Sequence, residues 1–270
     1  MRSLDDLLRR VAEGGLSPAD AAARLESSEV RYLDDFAALD RGRAARKGVP
    51  EVVYAPGKTP EQVAAICSAL IQPGPENAGD AGDAGYAGDR RVIVSGAKKD
   101  HLLELERSLP DTPAEWSGRA LVIGSGEPAG TGARVGALCA GTSDLPALGE
   151  ALAVAREMGA AVESFHDVGV AGLHRLVAPL ERLEEFDPDC LIVAAGMEGA
   201  LPSVISGLVG VPVVGLPTST GYGLGGDGTA AIMGMLQSCS PGLSVVNVDN
   251  GVGAGATAAL MANRAAGRTR

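Results

Sequence analysis

The chain predicts an α/β fold: a doubly wound five-stranded parallel sheet preceded by a smaller α/β N-terminal region. Three observations carry this. From Arg134 onward, short aliphatic runs alternate with Ala- and Leu-rich helical stretches, the rhythm of βαβ units. Strand runs such as Cys190-Leu-Ile-Val-Ala-Ala195 lack apolar/polar alternation, so both sheet faces are covered. Hydrophobic residues make up 46% of the 270 residues and aromatics 3%, which predicts a sizeable, aliphatic core.

In chain order, residues 1 to about 48 read as helices. Leu4, Leu7, Leu8 and Val11 recur at helical spacing, and Gly14-Gly15 ends that helix. Ser17-Pro18 starts the next as N-cap and first helical residue. Asp34 to Arg46 is charged, with Phe36 and Leu39 on one side. Its Arg41, Arg43, Arg46 and Lys47 form either a solvated helix face or a basic patch for phosphate. Val49 to Tyr54 reads as a strand. Thr59-Pro-Glu-Gln62 is a capping box opening a helix that runs on from Val63 to Ile71. Pro56-Gly57-Lys58 is too short and glycine-poor for a phosphate loop. Residues 73–90 alternate Gly, Ala and Asp, a flexible loop with nothing to bury. Val92 to Val94 is a strand, Asp100 to Leu109 a helix with His101 solvated, and Leu121 to Ile123 a strand. Residues 124–132 connect two halves, so the domains are 1–132 and 133–270.

The second half reads as strands Val135–Cys139, Ala161–Phe165, Cys190–Ala195, Val211–Leu216 and Leu243–Val248. The helices between and after them are Leu145–Met158, Ala171–Glu184, Ala200–Leu208, Thr229–Gln237 and Gly253–Asn263. This is a flavodoxin-like succession, and such sheets bind ligands beyond the carboxyl ends of their strands. That rule selects the turns. Gly141, Ser143, Asp144 and Pro146 follow the first strand, where Ser143-Asp144 either caps a helix or holds phosphate. His166 follows the second, as a proton shuttle or a loop residue. Gly196, Met197, Glu198 and Gly199 follow the third, Glu198 being a helix cap or a general base. The loop after the fourth carries Tyr222, which stacks on a ring or fills space. Asp249, Asn250 and Gly251 follow the fifth.

Cys239 stands at a turn between the helix ending near Gln237 and the strand from Leu243, at the amino edge of that strand. It is either an inert core thiol or a nucleophile. As a nucleophile it joins the other turns only if its loop folds back or a neighbouring subunit supplies it. Cys67, Cys139, Cys190 and Cys239 form no CxxC pair, which indicates neither a zinc site nor a disulfide framework. The net charge of −11 argues against nucleic acid and acidic membranes as partners. No apolar run is long enough to span a bilayer, and Met1 leads into a charged amphipathic helix rather than a signal peptide. A cytoplasmic location is the expectation.

The succession Gly141-Thr-Ser-Asp-Leu-Pro146, His166, Ala194-Ala-Gly-Met-Glu-Gly-Ala-Leu-Pro202 and Val211-Pro-Val-Val-Gly-Leu-Pro217 resembles aminoimidazole ribonucleotide carboxylase/mutase of purine synthesis. Asp167 replaces that family's arginine after the histidine. Some 130 further N-terminal residues and the Ser238-Cys-Ser-Pro-Gly242 stretch also depart from it. With those departures, the chain is more similar to the LarB family, the carboxylase/hydrolase of nickel-pincer nucleotide biosynthesis. The similarity includes Leu39-Asp40-x-x-Arg43, Gly48-Val-Pro-Glu51, Gly57-Lys58-Thr59 and Gln237-Ser-Cys239-x-Pro-Gly242. The resemblance implies nicotinic acid adenine dinucleotide and CO2 as substrates. The products would be pyridinium-3,5-biscarboxylic acid mononucleotide and AMP. It further implies Cys239 as covalent nucleophile with Glu198 nearby, magnesium in the hydrolytic step, and a homo-octamer whose subunits share sites. Asp144, Asp227 and Asp249 are the candidate magnesium ligands. The alternatives are an aminoimidazole ribonucleotide carboxylase/mutase and a non-catalytic nucleotide-binding regulator.

Overall fold

The computed structural model describes residues 4–26, 30–33, 36–40, 42–71 and 91–267. The chain divides into two compact units, 1–51 and 52–270. The expected loop at 73–90 lies outside the described residues.

The first unit holds helices α1 (Leu4–Ala12), α2 (Pro18–Glu26) and α3 (Arg43–Lys47) with strands β1 (Val30–Leu33) and β2 (Ala37–Asp40). Leu7, Leu16 and Ala21 are buried, and Val11 packs against them. Ser17 Oγ accepts the Asp20 N–H at 3.0 Å, the expected N-cap. The all-helical reading of this stretch fails over Val30–Leu33 and Ala37–Asp40. There β1 and β2 pair antiparallel, Val30 opposite Asp40 and Leu33 opposite Ala37. Val30-Arg-Tyr-Leu33 favours extended backbone, and the single Phe36/Leu39 spacing sets no helical period. Arg46 pairs with Asp40, and Arg43 reaches Glu51 at 3.4 Å. Two of the arginines considered for phosphate are thus matched locally by carboxylates, while Arg41 lies outside the described residues.

The second unit begins with a four-stranded sheet. It contains β3 (Val52–Tyr54), β4 (Val92–Ser95), β5 (Ala114–Ser117) and β6 (Ala120–Ile123), in the order β3-β4-β6-β5, with helices α4 (Pro60–Ile71) and α5 (Lys99–Ser108). The Thr59 capping box forms: Gln62 N–H donates to Thr59 Oγ1, and Thr59 N–H to Gln62 Oε1. His101 is buried rather than solvated, because its Nδ1 accepts the Lys98 N–H at 2.9 Å and closes the start of α5. The β5–β6 hairpin was not expected. Gly118, at φ 61°, makes its turn.

Residues 134–265 form the five-stranded sheet. Its strands are β7 (Arg134–Cys139), β8 (Ala161–Phe165), β9 (Cys190–Ala195), β10 (Val213–Pro217) and β11 (Leu243–Val245). The helices are α6 (Leu145–Glu157), α7 (Val177–Phe186), α8 (Ala200–Ser206), α9 (Thr229–Leu236) and α10 (Gly251–Ala265). A 3-10 segment, Val170–Leu176, replaces the start of the helix expected from Ala171. The order is β11-β10-β9-β7-β8, and every pair is parallel. Side chains alternate between faces along each strand. Val135, Ala137, Cys139 and Ile192 join the core beneath α6 and α10. Leu138, Leu191 and Val193 join the opposite core with Leu201, Ile205 and Met235. Both faces are covered, as the unbroken apolar strands predict. Among the described residues, no helix is long and apolar enough to cross a membrane.

Candidate active site at the switch point

In this strand order the chain reverses direction between β7 and β9, and the crevice beyond their carboxyl ends is where such sheets bind ligands. Both flanking turns carry residues selected from the sequence. Gly141 to Pro146 follows β7 and Gly196 to Gly199 follows β9. The turn after β10 fastens the two together. Thr218 Oγ1 donates to Asp144 Oδ1 at 2.6 Å, Thr220 Oγ1 donates to the Ser143 carbonyl, and Met197 N–H donates to the Thr220 carbonyl at 2.7 Å. The turn after β11 joins through Ser219 N–H, which donates to Asp249 Oδ1 at 3.0 Å.

Each predicted residue can be placed on this edge. Asp144 is buried, and its Oδ2 accepts the Gly141 N–H at 2.9 Å. Both of its oxygens therefore hold the turn, which leaves the exposed Ser143 hydroxyl facing solvent. Pro146 is exposed in the first turn of α6. Asn250 caps α10, its Oδ1 accepting the Gly253 N–H at 2.8 Å. Gly251 is buried where a Cβ would lie 2.6 Å from the Ala147 carbonyl, so α10 and α6 run in close contact from their first turns. The first N–H groups of both helices are largely engaged, Leu145 by the Thr142 carbonyl and Gly251 and Gly253 by Asp249 and Asn250. What the two helix starts offer an anion is therefore their positive dipole ends. Met197 is 41% exposed and Glu198 is exposed. His166 is exposed beyond β8. Its turn abuts the β7 turn through Val168 N–H donating to the Cys139 carbonyl, but no hydrogen bond among the described residues joins its ring to the others.

Backbone strain concentrates on this edge. Asp167, Met197, Asp227 and Asp249 hold φ of 57°, 52°, 58° and 56°, conformations that side chains rarely adopt and that cluster at functional sites. Gly196 is buried against the neighbouring turn, where a Cβ would sit 2.1 Å from the Thr220 carbonyl. Gly196→Ala is expected to push the β9 and β10 turns apart and lower stability by about 1–3 kcal/mol, read as a shift in the urea midpoint. An unchanged midpoint would contradict the close packing of these turns.

Burial sorts the four thiols. Cys67, Cys139 and Cys190 are buried, and desolvation pushes them up to about 12, 11 and 12 respectively. Cys239 is exposed. It lies at the amino edge of β11, as the sequence indicates. Its loop is fastened to α8: Ser240 Oγ donates to the Ser203 carbonyl and Ser206 Oγ to the Pro241 carbonyl. The helix leading to it, α9, packs on the Glu198 turn. Cβ atoms at Gly199 and Gly234 would lie 2.5 Å from the Ala231 carbonyl and 2.2 Å from the Glu198 carbonyl. Cys239 is five positions beyond Gly234, a reach of at most about 18 Å.

The sequence reading did not single out Thr218, Thr220 or Gly234. The signal was present for the threonines, in Pro217-Thr-Ser-Thr220 directly after a strand at the ligand edge. For magnesium the residues do not fit a chelate built by the protein alone. Both Asp144 oxygens are engaged and Asp249 Oδ1 is taken. Among the described residues, no group of three or more His, Cys, Asp or Glu side chains is placed to hold a metal ion.

Residues 134–270 match the family model of AIR carboxylase, and residues 31–77 match that of the LarB/PurE-like N-terminal domain. The chain is also 36% identical over 263 residues to the uncharacterized protein MJ0165 of Methanocaldococcus jannaschii, an alignment that covers 97% of each chain.

Proposed function

The chain belongs to the LarB family, related to AIR carboxylase, and on that premise we propose that it carboxylates the pyridinium ring of nicotinic acid adenine dinucleotide and cleaves its phosphoanhydride. A carboxylase-type activity follows from the family. The observation that carries the finer reading is the placement of Cys239. It is the one exposed thiol of four, and it follows a helix packed against the Glu198 turn.

An electron-poor pyridinium does not attack CO2. Addition of the Cys239 thiolate to ring carbon 6 moves an electron pair onto the ring nitrogen and gives a neutral dienamine. Carbon 5 of that dienamine forms the new bond to CO2. Glu198 then takes the proton from carbon 5, the carbon–sulfur bond breaks, and the thiolate leaves as aromaticity returns. In the separate hydrolysis, water bonds to phosphorus as the bridging phosphorus–oxygen bond breaks and AMP departs. The positive dipole ends of α6 and α10 favour the developing charge.

We read the assembly as a homo-octamer in the cytoplasm, with subunits sharing sites near the Cys239 loop. Met233 and Leu236, exposed on α9, support an apolar contact beside that loop.

The test is incubation with nicotinic acid adenine dinucleotide, bicarbonate and magnesium, followed by mass spectrometry. AMP and a doubly carboxylated pyridinium mononucleotide are expected. A parallel incubation with aminoimidazole ribonucleotide should give no product, and carboxylation of that compound alone would replace this reading by the purine one. Glu198→Gln is expected to slow single-turnover carboxylation by about 10²- to 10⁴-fold with dinucleotide affinity kept. An unaltered rate would assign the base elsewhere.

A further inference from the structure

The loop between β10 and α9, Gly221-Tyr-Gly-Leu-Gly-Gly-Asp-Gly228, takes no part in the chemistry above, yet it rises from the crevice itself. Its root is held by the Thr218–Asp144 and Thr220–Ser143 hydrogen bonds. Its first residue lies on the strained turn, since a Cβ at Gly221 would be 3.6 Å from the Met197 nitrogen. The next residue, Tyr222, is 82% exposed. Aromatics are scarce here: residues 134–270 contain only Phe165, Phe186 and Tyr222, and of these only Tyr222 is exposed. Gly221 and Gly223 flank it, and Gly223 holds φ +78° with open space around its Cβ position. The ring is thus free to turn over the crevice on both its backbone neighbours.

We propose that Tyr222 is the stacking platform for the cationic heteroaromatic ring of the substrate. The inference rests on the pyridinium reading and deepens it. The face of a phenol ring carries negative quadrupole charge and attracts a cation lying flat upon it. That attraction acts on the charged pyridinium and disappears in the neutral dienamine. Tyr222 therefore contributes to binding and leaves the chemical step unaided.

Equilibrium binding and single-turnover rates of Tyr222→Phe and Tyr222→Leu separate the possibilities, with assembled mass checked by ultracentrifugation. Tyr222→Leu is expected to weaken nicotinic acid adenine dinucleotide binding about tenfold, to raise the single-turnover rate at saturation because the stacking it removes held the bound cation and not the neutral adduct, and to leave AMP affinity and the mass unchanged. Tyr222→Phe keeps the ring face and should restore dinucleotide affinity. Wild-type affinity in Tyr222→Leu would overturn stacking alone and leave the carboxylase reading intact. So would an equal loss for AMP, or a changed assembled mass, either of which marks a structural role. Failure of the unmodified protein to bind the dinucleotide would remove the pyridinium reading and the platform together.

Discussion

Cys239→Ser should abolish carboxylation of nicotinic acid adenine dinucleotide while dinucleotide affinity and folding stability stay at wild-type values. A few per cent of an ordinary thiol is thiolate at neutral pH, and sulfur is an intrinsically strong nucleophile. The serine hydroxyl lacks both properties, and an alkoxide is a far poorer group to expel when the ring regains aromaticity. No other cysteine can substitute. Cys67, Cys139 and Cys190 are buried, with desolvation holding their sulfurs protonated. Folding should be indifferent because Cys239 is exposed and surface substitutions away from special features change little. Alkylation followed by peptide mapping gives an independent check: iodoacetamide should modify Cys239 in the native protein, and the dinucleotide should protect it. Normal turnover by Cys239→Ser would remove sulfur from the mechanism. An unreactive Cys239 with tight dinucleotide binding would instead favour a non-catalytic regulator.

The five-stranded sheet was legible because its strands are aliphatic runs with no polar interruption, and only a sheet covered on both faces accommodates them. The ligand edge followed from topology once the strands were placed. Local pattern failed where pairing partners decide conformation. Nothing in Val30-Arg-Tyr-Leu33 announces Ala37–Asp40 as its partner. The β5–β6 hairpin turns on a Ser-Gly pair within a short polar stretch. His101 looked solvated because one imidazole at a helix start carries no periodicity, and its burial comes from a capping contact three residues away. The roles of Thr218 and Gly234 depend on contacts across 74 and 36 positions of sequence, which no spacing rule reaches. The position of Cys239 at the amino edge of β11 was legible too. The strand was placed well, but the packing of α9 on the Glu198 turn was invisible.

The second large effect concerns Glu150, which the sequence reading passed over as one more residue of α6. It is 1% exposed, and its carboxylate is fully engaged. Ser95 Oγ, at the end of β4, donates to Oε1 at 2.7 Å. Arg119, in the β5–β6 turn, donates to Oε2 through Nε at 3.1 Å and Nη2 at 2.8 Å. The same carboxylate bounds the space beside Gly251, where a Cβ would be 2.7 Å from Oε2. One ion pair therefore joins the four-stranded sheet to α6 and sets the contact of α6 with the first turn of α10, the two helices whose starts face the crevice. The partners are not equivalent, because the Arg119 side chain is 33% exposed and that of Glu150 1%. Removing the arginine strands a buried carboxylate, whereas neutralising the carboxylate leaves a guanidinium that water can reach. Arg119→Ala is therefore expected to lower stability by about 3–5 kcal/mol. Glu150→Gln, which can still accept from Ser95, should lower it by only about 1–2 kcal/mol. Urea unfolding of both variants and of the double variant reads this directly. In the double variant the stranded charge is gone, so its loss should fall below the sum of the two single losses. Equal losses from the single variants, adding in the double, would mean that water reaches the carboxylate and that the pair does not seal this junction.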